Sequence, residues 1–91
     1  MASITRTIKI FGAKADLTLH VPTNKEFNEY SNDLTEVLKN NDDPGLIALR
    51  VKYFDAWLEN VAGVDKADIL DQHKSGIMYQ LFEKLEITEK N

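Results

Sequence analysis

Cysteine is absent from this sequence, so a disulfide framework and a thiolate metal site are both excluded. That absence fits a reducing compartment. Proline occurs twice and glycine four times, and the glycines lie far apart. A glycine-rich nucleotide loop is therefore excluded, and no linker, internal repeat or low-complexity segment stands out. No apolar run approaches the roughly 18 residues of a membrane span. The stretch MASITRTIKIFGAKADL lacks the uninterrupted apolar core of a signal peptide. Positive charge is also scarce: eleven Lys and Arg stand against fifteen Asp and Glu, a net charge of −4. A sequence-independent grip on nucleic acid needs clustered cations, and here they are scattered. Neither nucleic acid nor membrane is an expected partner, and the chain reads as cytoplasmic.

What is present suits one small globular domain spanning 1–91, with 43% hydrophobic and 29% charged residues. The expected class is α+β: an N-terminal β-hairpin within 1–22, a compact bundle of three main helices within 23–87, and a frayed tail over 88–91. TRTIKIF and ADLTLHV alternate apolar and polar residues, the period of a half-buried strand. Ile8 and Ile10 share one face of the first strand, and Leu17, Leu19 and Val21 one face of the second. Gly12 between the strands suits a turn with positive φ. Pro22 ends the second strand. Thr23 followed by Glu26 forms a capping-box pattern, and Phe27, Tyr30, Leu34, Val37 and Leu38 recur at helical spacing. Asp43 and Pro44 open a second helix, expected to run to about Ala62 with Gly63 as its stop. VDKADIL reads as a short helical turn capped by Asp65. A last helix is expected from Lys74 to about Ile87, with Ile77, Met78, Leu81, Phe82 and Leu85 on its apolar face. The expected core centres on Phe27, Leu34, Leu38, Ile47, Phe54, Leu58, Leu81 and Phe82.

Catalytic chemistry finds no foothold. His20 and His73 lie in different elements, and neither has a neighbour at metal-ligand spacing. Asp65, Asp68 and Asp71 recur every three residues, whereas a calcium loop takes alternate positions around a glycine. Capping and a solvated face account for them. No catalytic residue, cofactor or metal is expected, and the chain is not expected to be an enzyme. VKYFDAWLENV is not a basic recognition helix, which disfavours a helix-turn-helix regulator.

The second helix is the informative element. Projected at roughly 100° per residue, its apolar arc approaches 200°, wider than one neighbour requires. Either it is a central helix covered on two sides, or one edge stays exposed for a partner. On the second reading the candidate partner-binding residues are Leu49, Arg50, Tyr53 and Trp57, a composition favoured at interfaces. Phe54 and Leu58 fall to the core, Tyr53 and Trp57 to the partly exposed edge. If the whole arc is buried, the free edge of the hairpin becomes the place to look. Arg50 lies inside the arc, so it must snorkel outward or meet a carboxylate; the pairing is the expected outcome.

The order of parts resembles the small tail assembly chaperones of long-tailed, siphovirus-like bacteriophages and prophages. The resemblance runs from Ile4 to Leu85 and rests on LTLHVPT, the helix opening KEFNEY, then RVKYFDAWLENVAGV and DILDQHKSGIMYQLFEKL. It implies a non-enzymatic protein of the bacterial host cytoplasm that keeps the tape measure protein soluble and helps tail-tube subunits polymerise around it. This chain would be the short form of a pair whose longer form arises by frameshift. The family offers no fixed functional residues to carry across. The rival expectations are a structural tail or head-completion protein, or a small bacterial protein-interaction module. Self-association of the chain is left open.

Overall fold

A computed structural model describes residues 2–83. The architecture is α+β: a three-stranded antiparallel sheet with helices packed on one face. Strand β1 covers Ser3–Ile10 and β2 covers Ala13–His20; helix α1 covers Asn24–Lys39 and α2 Asp43–Trp57. Strand β3, Leu58–Ala62, follows α2 without a loop. A 3-10 turn, Lys66–Asp68, leads to helix α3, Asp71–Met78, which continues as one π-helical turn, Tyr79–Glu83. Among the described residues, no helix is long and apolar enough to cross a membrane.

The expected hairpin is present and tighter than the sequence suggested. Its turn is two residues long, with φ of 51° at Phe11 and 83° at Gly12. Positive φ at both central positions is the geometry whose twist matches paired strands. Pairing sets Ile4 opposite Leu19, Ile8 opposite Ala15 and Arg6 opposite Leu17, so these residues share the core-facing side. Ala15, Leu17 and Leu19 are fully buried, because β2 is the central strand; Ile4 and Ile8 on the edge strand are only half-buried. The outer face is polar. Thr5 meets Thr18 at 3.1 Å and Thr7 donates to Asp16 at 2.6 Å across the pair.

Helix α1 starts as its sequence dictates. The Thr23 hydroxyl accepts from the Glu26 amide, and Glu26 accepts from the Thr23 amide, which closes the capping box. His20 at the end of β2 adds a 2.8 Å contact to the same carboxylate. That carboxylate has a lowered pKa, first through the Thr23 backbone bond and then through His20. Helix α2 is capped by Asp42 rather than Asp43; the Asp42 side chain accepts from Gly45 at 3.0 Å. Asp65 stands at the cap position of the 3-10 turn without a side-chain bond.

The largest departure is β3. The chain leaves the helix after Trp57, not Ala62, and pairs with the second edge of β2. Leu58 and Val61 are three apart, which suits a helix face. In a regular strand they would point to opposite sides. An irregularity opposite Thr18 and Leu19 leaves Glu59 as an extra residue, so Leu58 pairs with Leu19 and Val61 with Leu17. Both therefore reach the core side. The open edge of β2 overrides local periodicity, a tertiary effect that no window of sequence contains. Gly63 then turns the chain with φ of 94°, and a side chain there would collide with the Lys14 carbonyl.

The core joins Ile10, Ala15, Leu17 and Leu19 of the sheet to Tyr30, Phe54, Trp57, Ile69, Ile77, Met78, Leu81 and Phe82. Of the expected core, Phe54, Leu81 and Phe82 are buried, and Phe27, Leu34 and Leu58 pack against them half-buried. Leu38 and Ile47 are corrections: they are 53% and 42% exposed. Leu38 lies in the last turn of α1 and Ile47 in the first turns of α2, so both flank the turn that joins the helices. The final helix begins at Asp71 rather than Lys74. The expectations for Leu85, for the helix end at Ile87 and for the tail lie outside the described residues.

Candidate docking site

The face that α2 turns inward is not the one the sequence suggested. Leu49, Phe54 and Trp57 are buried, and Leu46, Arg50 and Tyr53 lie half-buried among them. The spacing 46, 49, 50, 53, 54, 57 is a helical stripe, rotated by roughly 60° from the expected centre. Leu49 at 9% exposure and Trp57 at 5% therefore do not form an exposed edge. Both are corrected to core positions, while Ile47, assigned to the core, faces solvent.

Two sets of contacts fix this rotation. The first is aromatic. Trp57 lies 5.2 Å from Phe82, 5.3 Å from Tyr53 and 5.7 Å from Tyr30, centroid to centroid. Tyr30 and Tyr53 meet edge to face at 5.0 Å, and Phe27 reaches Phe82 at 6.4 Å. Such pairs add about 0.5–1.5 kcal/mol each beyond the area they bury. Tyr53 is half-buried, and its hydroxyl donates to Asp33 of α1 at 2.7 Å. Burial first, and then Asp33, push its pKa up to about 12.

The second set is polar. Arg50 donates from Nε to Glu83 Oε2 at 2.8 Å and from Nη2 to Oε1 at 2.6 Å, a bidentate pair. Its third nitrogen donates to Ser75 Oγ at 3.3 Å. The Tyr30 hydroxyl also donates to Glu83. Burial opposes the Arg50 charge, but the Glu83 carboxylate outweighs it and the pKa is raised. Burial, and next Glu83, raise the pKa of Tyr30. The expectation that Arg50 meets a carboxylate is met, and α1, α2, α3 and the π-helical turn are tied at one point. Among the described residues no buried side-chain nitrogen or oxygen lacks a partner, and the cluster holds these elements together. Nothing in the sequence pointed to Glu83, 33 residues from Arg50 and part of an ordinary charged helix pattern.

His20 serves the α1 cap, and His73 accepts from the Leu70 amide at 3.1 Å. Asp65, Asp68 and Asp71 remain exposed around the 3-10 turn. Among the described residues, no three His, Asp or Glu side chains are grouped to hold a metal ion.

Large apolar side chains do reach the surface, but elsewhere than expected. Leu38 and Ile47 flank the α1–α2 turn, and Leu70 and Tyr79 sit at the two ends of α3. Phe11, at the hairpin turn, is 77% exposed, and its ring meets His73 edge to face at 6.4 Å. The Phe-Gly pair at the end of an alternating segment was the sequence signal for this residue, hidden because the turn was expected one residue later. No family model, curated protein or solved structure matches the chain.

Proposed function

We propose that this protein is a non-enzymatic tail assembly chaperone that holds the tape measure protein, the tail-tube subunit or both during morphogenesis in the bacterial cytoplasm. The observation that carries the reading is the pair Leu38 and Ile47, exposed on both sides of the α1–α2 turn. Two exposed aliphatic side chains flanking one turn offer an apolar contact to another molecule. A helix-rich client could lay an apolar stripe on them, while the net charge of −4 keeps the complex dispersed. The phage identity of the client rests on the resemblance described above.

The test is co-expression with a phage tape measure protein. The wild type is expected to keep that client in the soluble fraction, and Leu38→Glu with Ile47→Glu to lose it without loss of helical circular dichroism. Mass spectrometry of mature particles provides the second arm. A chaperone leaves the particle, so recovery of this chain in stoichiometric amount identifies a structural tail or head-completion protein instead.

A further inference from the structure

The geometry points to the free edge of β3, together with the depression at the hairpin turn, as a docking groove for an extended, basic and apolar segment of a partner protein. This inference is independent of the tail-chaperone reading, because it uses different residues. Strand β3 ends the sheet, and its outer edge is unpaired among the described residues. A groove of about 370 Å³ is lined by Leu58, Glu59, Asn60 and Val61 in succession. Leu58 and Val61 lie on the core side and Asn60 on the outer side, with Glu59 as the extra residue between them, so a groove that touches all four runs along the backbone edge. Such an edge accepts another strand by main-chain pairing, with pockets for alternate side chains.

A second, larger depression of about 570 Å³ continues from it, sharing Val64 and Asp65. Its apolar wall includes Ile10, Phe11 and Val64, and its charged side chains are Asp65 and Asp68 alone. Neither carboxylate has a hydrogen-bond partner for its side chain among the described residues. Lys9 and Lys14, although close in sequence, pair with one another on the opposite face of the sheet. Asp65 and Asp68 against Lys66 leave the combined groove acidic, the Glu59 carboxylate being held back across the sheet by the Ser3 hydroxyl at 2.6 Å, and this selects a partner segment carrying Lys or Arg between apolar residues. Phe11 supports the assignment. Positive φ at the first turn position favours Asn or Gly over a bulky ring, and the ring does not enter the core. A residue that serves neither its turn nor the core is suited to contact.

The experiment uses the full chain and a blocked eight-residue peptide of alternating lysine and valine, labelled for fluorescence polarisation. Expected results are saturable binding, weakening at least fivefold in the double variant Asp65→Asn with Asp68→Asn, and loss of binding when alternate peptide nitrogens are methylated. Phe11→Asn is the sharpest variant: it should raise the melting temperature, because Asn-Gly suits the turn, and yet weaken binding. Equal binding of a glutamate–valine peptide, or full binding of the methylated one, overturns the proposal. So does absence of saturable binding. Concentration-dependent oligomers in sedimentation that the double Asp variant disperses would place a second copy in the groove and overturn the partner segment.

Discussion

Replacement of Arg50 by Met tests what holds the helices together. The Glu83 carboxylate accepts two bonds from Arg50 and one from Tyr30, and its side chain is only 7% exposed. Arg50→Met removes the cation and leaves that carboxylate buried with Tyr30 alone. Breaking a buried pair by removing one partner costs about 3–5 kcal/mol. The whole domain has about 5–15 kcal/mol to lose. With a urea m-value of roughly 1 kcal/mol/M, the unfolding midpoint should fall by about 3–5 M. Trp57, the only tryptophan and 5% exposed, reports the transition by fluorescence. Because the single variant approaches the limit of stability, the decisive species is Arg50→Met with Glu83→Gln. A neutral amide in place of the unpaired carboxylate should restore most of the loss. Tyr30→Phe gives a milder probe: it removes one bond to a charged acceptor, worth about 1.5–3 kcal/mol. If the two changes at 50 and 83 simply add, or if Arg50→Met costs under about 1 kcal/mol, the cluster is not the clamp described.

Phe54 is fully buried, so Phe54→Ala should cost about 3–5 kcal/mol by the same urea assay, and unchanged melting would remove it from the core. Tyr53→Ala should destabilise the fold rather than only weaken association: it loses ring contacts to Tyr30 and Trp57, together about 1–3 kcal/mol, besides its bond to Asp33. Tyr30 and Tyr53 have raised pKa values, so their contribution is complete below the ordinary value of 10.0 and declines as pH rises, for Tyr53 through about 12. Thermal melting should fall above pH 10, and Tyr53→Phe should lessen that fall. Glu26 has a lowered pKa, so its contribution is complete above 4.5 and disappears as pH drops further; Glu26→Gln should flatten that acid limb, and an unchanged acid profile would refute it.

Local rules in the sequence carried much of this fold. The capping box at Thr23 and Glu26, the alternation that makes the hairpin and the break before α2 each depend on neighbours within four residues, and each is present. What stayed hidden depends on partners far along the chain. Leu58 and Val61 fit a helix by spacing, and only the vacant edge of β2, 39 and 44 residues earlier at Leu19 and Leu17, together with the extra residue Glu59, makes them strand. The partner of Arg50 could be inferred as a carboxylate from the cost of burying its charge, but its identity could not, since Glu83 looks like any other acidic residue of that segment. The candidate site suffered most. An apolar arc near 200° states that two sides of α2 are covered or that one is exposed, and it does not state which.

The rotation of α2 connects these points. With Trp57 in the aromatic cluster and Arg50 aimed at Glu83, the helix has one orientation that satisfies both, and that orientation turns Ile47 outward. The exposed aliphatic surface is therefore tied to the clamp: Arg50 and Trp57 take the inward face of α2, and Ile47 is left outside it. A hydrophobic replacement of the pair, with Met at 50 and Leu at 83, could match its stability, as buried ion pairs often allow. It would give up the directional bonds that fix the angle of the helix. If the surface at Ile47 and Leu38 binds a client, that variant should fold and melt like the wild type and yet hold the client less well. Equal client retention would mean that aromatic packing alone sets the orientation.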